Sequence, residues 1–110
     1  MADRTVDEVI KQMTSIDKFI ACLMLANGIC FRGRPKNYKN EETIRRMCPP
    51  KARHLFNLDN LKRLGVVYVL PKRGSLVALQ GFGIKVAMKL YETGEAKKVY
   101  EQYGADYVPL

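Results

Sequence analysis

The sequence predicts a mostly α-helical domain with one small β-hairpin, an α+β fold in a single unit over residues 1–110. Three observations carry that expectation. Apolar residues recur at helical spacing at both ends, at Val6, Val9, Ile10, Met13, Ile16, Ile20 and Leu23 and again at Ile84, Ala87, Met88 and Tyr91. Between the ends, two apolar and β-branched runs, 66–70 and 76–79, flank Pro-Lys-Arg-Gly-Ser, a turn with Gly placed for a bulge or a left-handed residue. A chain of 110 residues is also the size of one domain, long enough to bury a core and too short for two.

The N-terminal helical region, 1–27, opens with Thr5-Val6-Asp7-Glu8, which has the form of a capping box. From 19 to 26 the pattern turns apolar on all sides, as in a helix buried on several faces, and Asn27-Gly28 supplies a left-handed stop. Ser15 and Asp17 offer a second start, so one helix and two helices both fit this stretch. Ile29-Cys30-Phe31 fits a short strand. Residues 40–64 read as a helix-turn-helix. Asn40 caps its first helix, Glu41 and Glu42 lie where the dipole favours anions, and Pro49-Pro50 ends it. The second helix is expected over 51–64, although Leu55, Leu58, Leu61 and Leu64 recur every three residues. Such a stripe drifts by about 60° per step, and a kink near Asn57 fits the drift. Gly65 closes that helix, the hairpin occupies 66–79, and 83–104 is helical with a break at Thr93-Gly94.

Charge gives the middle of the chain its meaning. Nineteen Lys and Arg against eleven Asp and Glu leave a net charge of +8. Residues 32–73 hold twelve cations against Glu41, Glu42 and Asp59, a net of +9, whereas 1–31 carries −1 and 74–110 is neutral. Such a concentration is the footprint of a face that lies against a nucleic acid. Arg32-Gly33-Arg34-Pro35-Lys36 resembles the core of an AT-hook, in which Gly allows close approach, Pro keeps the chain extended and arginines line a narrow minor groove. A basic loop touching phosphate is the plainer reading of the same residues. On the expected helix 51–64, Arg53, Asn57 and Asn60 stand at i, i+4 and i+7, and Arg and Asn are the side chains that bond guanine and adenine edges. Lys51 and His54 flank that stripe near the helix start. Lys39, and Lys72 and Arg73 at the hairpin tip, are placed for phosphates, though edge lysines also deter aggregation. On this reading Arg53→Ala flattens sequence preference. The competing reading is a polar helix face with no partner.

Other classes fit poorly. The longest apolar run, 19–26, is shorter than the roughly 20 residues a membrane helix needs. The polar, acidic opening MADRTVDE is not that of a secretory leader, so an intracellular, cytoplasmic protein is expected. Three cysteines, Cys22, Cys30 and Cys48, with His54 as the one histidine, do not make a zinc ligand set, and no metal or cofactor is expected. Cys48 beside Arg45 and Arg46 fits a reactive thiol, but a buried structural cysteine fits as well. No nucleophile has a base nearby in sequence and the carboxylates lie in helix first turns, so no enzyme is expected.

The run Leu58-Asp59-Asn60-Leu61-Lys62-Arg63-Leu64-Gly65-Val66-Val67, the hairpin, and Leu79-Gln80-Gly81-Phe82-Gly83 together resemble the winged-helix (winged helix-turn-helix) DNA-binding domain of small bacterial and archaeal transcription regulators. The likeness covers roughly residues 16–91. Gln80 stands where that family has Thr, and the turn is Cys-Pro-Pro. The resemblance implies a winged fold with extended N- and C-terminal helices, double-stranded DNA as partner, transcription regulation, and a homodimer whose contact lies in the C-terminal region. Ile84, Met88, Tyr91, Tyr100, Tyr103 and Tyr107 are the candidate dimer residues there, Tyr being enriched at interfaces. A tail folded back on its own core is the alternative. A non-catalytic assembly protein that turns the same basic face to RNA or to an acidic protein is the second functional reading.

Overall fold

The computed structural model of the chain describes residues 5–30, 38–70 and 76–110. Among them seven helices and a three-stranded antiparallel sheet run in the order α1 (Val6–Lys11), α2 (Ser15–Ala26), β1 (Lys39–Asn40), α3 (Glu41–Met47), α4 (Pro50–Arg53), α5 (Asp59–Arg63), β2 (Val67–Leu70), β3 (Leu76–Leu79), α6 (Gly81–Glu92) and α7 (Glu95–Gln102). The class is α+β. No helix among the described residues is long and apolar enough to cross a membrane.

The N-terminal region is two helices. Thr5 Oγ1 accepts the Glu8 amide at 3.1 Å, but the reciprocal capping box lies at the second start. There Thr14 Oγ1 accepts from the Asp17 amide at 3.3 Å, and Asp17 Oδ2 accepts from the Thr14 amide at 3.0 Å. Helix α2 is the axis of the core. Phe19 to Met24 are buried along it, and it packs against α6, α7 and β3. This is why the sequence is apolar all round there.

The sheet order is β1-β3-β2, with Val67↔Leu79 and Val69↔Val77 on one face and Tyr68↔Ala78 and Leu70↔Leu76 on the other. Val67, Val77 and Leu79 turn into the core. Strand β1, which precedes α3, α4 and α5, pairs Lys39↔Val77 and Asn40↔Leu76. Where a strand is expected at 29–31, the described residues hold only an isolated parallel bridge, Cys30↔Leu79, and Phe31 lies outside the described residues. Helix α6 starts at Gly81 against the α5–β2 junction. A Cβ on Gly83 would lie 1.8 Å from the Val66 carbonyl oxygen, so only glycine lets the helix approach that backbone.

The expected helix over 51–64 does not form. It is replaced by α4 and α5 with an irregular link between them. The three-residue leucine spacing is the cause. A straight helix would turn those side chains progressively out of the core, whereas the break buries Leu58, Leu61 and Leu64 and leaves only Leu55, at 48% exposure, outside. Asn57 Oδ1 accepts from the Asp59 amide at 2.7 Å, an Asx-type bond that starts α5 afresh. Gly65, at φ +76, then turns the chain into β2.

Candidate nucleic-acid interface

Helices α3, α4 and α5 are too short to stand alone, and polar contacts between side chains and backbone hold them in place. Asn40 Oδ1 accepts from the Thr43 amide at 2.8 Å and caps α3 as its sequence position implied. Glu41 accepts from Lys62 Nζ at 2.7 Å, tying α3 to α5. Glu42 accepts from Arg45 at 2.7 Å and faces Arg46 at 3.4 Å. The hydrogen bond from Arg45 holds the Glu42 carboxyl below its ordinary range. The two acids of α3 are therefore already matched within the unit. Lys39 on β1 and Lys51 on α4 are exposed. Of the other basic candidates, Arg32, Arg34, Lys36, Lys72 and Arg73 lie outside the described residues, and with them the AT-hook-like loop and the hairpin tip.

The expected reading stripe is not a stripe. Arg53 is exposed, yet its Nη2 donates to the Cys48 carbonyl at 3.0 Å and the Arg46 carbonyl at 3.4 Å, closing the C-terminal end of α3. Asn57 starts α5. Asn60 is half-buried and faces inward across the molecule. Its Nδ2 donates to Asp17 Oδ2 at 2.6 Å and to the Gln12 carbonyl at 3.1 Å, and its Oδ1 accepts from Arg63. Asp17, at 3% exposure, is the buried acid among the described residues, and Asn60 is one of its partners. His54 Nδ1 lies 3.0 Å from the Pro50 carbonyl. The single helix that would align Arg53, Asn57 and Asn60 on one stripe is broken between Arg53 and Asn57.

The sequence reading missed the outer face of the sheet. Tyr68 on β2 is 43% exposed there, and Tyr38 approaches it across the sheet with ring centroids 6.5 Å apart and planes at 77°. Burial, and then the neighbouring Tyr68, push the Tyr38 hydroxyl above its ordinary pKa. Tyr38, Tyr68, Leu70 and Gln80 line a hollow of about 300 Å³. The alternation Val67-Tyr68-Val69 was the available signal, since it puts Tyr68 opposite to two core valines.

At the C-terminal end the candidate dimer residues divide. Tyr100 and Tyr103, at 1% and 6% exposure, pack on Phe19 in the chain's own core. Tyr91 is half-buried, and its hydroxyl donates to the Val108 carbonyl at 2.8 Å and lies 3.0 Å from the Tyr100 hydroxyl. Burial raises the pKa of both hydroxyls. The tail thus folds back over α6 and α7, which removes Tyr100 and Tyr103 from any surface. Ile84 is half-buried, and Met88 and Tyr107 remain exposed. All three cysteines are buried, and burial pushes the thiols of Cys22 and Cys48 up to about 12 and about 11, so the reactive-thiol reading of Cys48 is set aside. Compared with protein-family models, with curated proteins and with solved structures, the chain matches none.

Proposed function

We propose that the chain binds double-stranded DNA, gripping the phosphate backbone with the unit from β1 to β3 in the manner of a winged helix. The observation that carries the reading is the placement of charge. Nine cations against Glu41, Glu42 and Asp59 give the unit from β1 to β3 a net charge of +6, Arg32, Arg34 and Lys36 directly precede it in the chain, and the two helical ends contribute almost none. The order of elements supports it. A core helix, a short strand, three short helices and a hairpin follow one another, and the short strand zips onto the far side of the hairpin as β1-β3-β2. In sequence, the two basic segments outside the described residues are 31–37, directly before Tyr38 and β1, and 71–75, between β2 and β3.

Affinity in this reading comes from phosphate contacts. Helices α4 and α5 are four and five residues long, and Arg53 and Asn60 are tied to the fold, so base reading by residues 51–64 is not part of the proposal. A homodimer that serves transcription regulation belongs to the same reading. Its contact would use Met88 and Tyr107 in place of the buried tyrosines.

Titration of a labelled duplex over a salt series tests the proposal. With about six phosphates neutralised, log K falls against log salt with a slope near −5. Unrelated duplexes should compete within about tenfold of one another, because phosphate contacts carry no sequence information. Absence of duplex binding at low salt, or binding insensitive to salt, overturns the reading, as does clear preference for RNA or for an acidic polypeptide.

A further inference from the structure

The outer face of the three-stranded sheet carries two aromatic side chains, Tyr38 and Tyr68, that are not among the proposed phosphate contacts. Tyr68 is paired with Ala78 on the central strand. Continuing the β1 register by one residue sets Tyr38 on the other side of the same alanine. Adjacent strands lie about 4.8 Å apart, so two side chains separated by a whole strand start about 9.6 Å apart at the backbone. The ring centroids are nevertheless only 6.5 Å apart. The two rings lean together over Ala78, whose single methyl is the reason they can, and Ala78 is fully covered. A larger residue at that position would hold them apart. Beyond the rings, Leu70 and Gln80 also line the hollow of about 300 Å³, at the lower limit for small-ligand pockets. The Gln80 amide nitrogen donates to the Gly65 carbonyl over a long 3.5 Å, and its side chain sits at the rim.

We infer that this hollow is a stacking site for one unpaired nucleobase, received on the exposed face of Tyr68 with Tyr38 as its edge-on wall. The inference rests on the proposed binding of nucleic acid and names a second thing the same protein recognises. Charge selects the occupant. The surrounding unit is strongly basic and Lys39 follows Tyr38 directly in the chain, whereas among the described residues the hollow itself is lined by two phenols, a leucine and an amide. A ligand that satisfies both is a polyanion whose repeating units carry flat, weakly polar rings. Only an unpaired base presents such a ring, since in a duplex each face is already stacked.

The test uses the full chain and three otherwise identical DNA duplexes: one fully paired, one with a single unpaired thymine, and one with an abasic unit in place of that thymine. The unpaired thymine should bind about tenfold tighter than the abasic unit, within the range of base–aromatic stacking. Tyr68→Ala should abolish that difference and leave the fully paired duplex unaffected, and Tyr68→Phe should restore it. Tyr68 is exposed, so the alanine variant folds, and an unchanged melting temperature verifies it. Equal affinity for thymine and abasic duplexes, or a difference that survives Tyr68→Ala, overturns the stacking site while leaving backbone binding intact. No binding of any of the three overturns the proposed function and the stacking site together.

Discussion

The helical ends and the basic middle are held together by different kinds of contact. In the ends, the twelve-residue helices α2 and α6 bury apolar faces. Phe19 on α2 lies between Tyr100 at 5.4 Å and Tyr103 at 5.3 Å, and Tyr91 fastens the tail through the Val108 carbonyl. In the middle, helices of four to seven residues present little apolar area each, and asparagines, an arginine and two glutamates fix them. The lesson concerns how polar residues are read. On a long amphipathic helix the polar side chains left outside are available to a partner. On very short elements the same side chains are what makes the element form, and their spacing says little about what they face outward.

The largest expected effect attacks the apolar side of this contrast. Phe19→Ala removes a fully buried ring from between two tyrosines and should destabilise the fold by about 3–5 kcal/mol in denaturant unfolding. A loss below about 1 kcal/mol would mean that the ends are not held by this cluster. Next is the seam between the two regions. Gly83→Ala sets a methyl 1.8 Å from the Val66 carbonyl oxygen, which is backbone and cannot swing away. Helix α6 must shift, at about 3 kcal/mol, the upper end of ordinary overpacking.

The same contrast explains what could be read from the sequence. The end helices, the break at Gly94 and the hairpin strands were legible because each has a clear period and a left-handed or turn residue at its limit. The Asn40 cap was legible because it needs only three residues to work. The capping box at Thr14 and Asp17 is half visible in the sequence, where Ser15 and Asp17 mark a second start and Thr14 carries no separate signal. Strand β1, two residues long, has no period to read, and its partners, Val77 for Lys39 and Leu76 for Asn40, lie far downstream in the chain. The site suffered most. Arg53 and Asn60 were placed on one outward stripe by assuming a helix that the leucine spacing already argued against. Asn60 finds its partner, Asp17, across 43 residues of chain, a contact that local pattern cannot show.

Asn60 gives the sharpest test of polar side chains as structure. Asp17 is buried and accepts from the Thr14 amide and from Asn60. Asn60→Ala removes one of these donors from a buried acid and should lower stability by about 2 kcal/mol. If stability is unchanged and DNA sequence preference shifts instead, Asn60 is a reader and the contrast fails.

A pH titration probes the apolar side again. Burial raises the Cys22 thiol from 9.0 to about 12. Above pH 9 the unfolded chain releases this proton while the folded chain keeps it, so the unfolded state binds fewer protons and stability falls as pH rises. The expected loss from Cys22 is about 1 kcal/mol over the first pH unit above 9, continuing until the folded thiol itself ionises near 12. Cys22→Ala should flatten that part of the alkaline limb. Stability that holds level from pH 9 to 11 in the parent protein would show the thiol to be solvated.

The smallest effect is expected at Arg53, and its kind matters more than its size. Arg53 is exposed and its guanidinium closes the end of α3 through the Cys48 and Arg46 carbonyls. Arg53→Ala should therefore lower stability by roughly 0.5–1 kcal/mol, since water can take over part of what the side chain supplies. Duplexes of different sequence should lose affinity by the same modest factor, that of one cation removed from a phosphate-binding face. Arg53→Lys keeps the charge but not the planar fork that spans two carbonyls, so it should recover the affinity and not the stability. A change confined to one family of sequences would instead return Arg53 to the role its spacing first implied, and with it the idea that α4 lies in a groove.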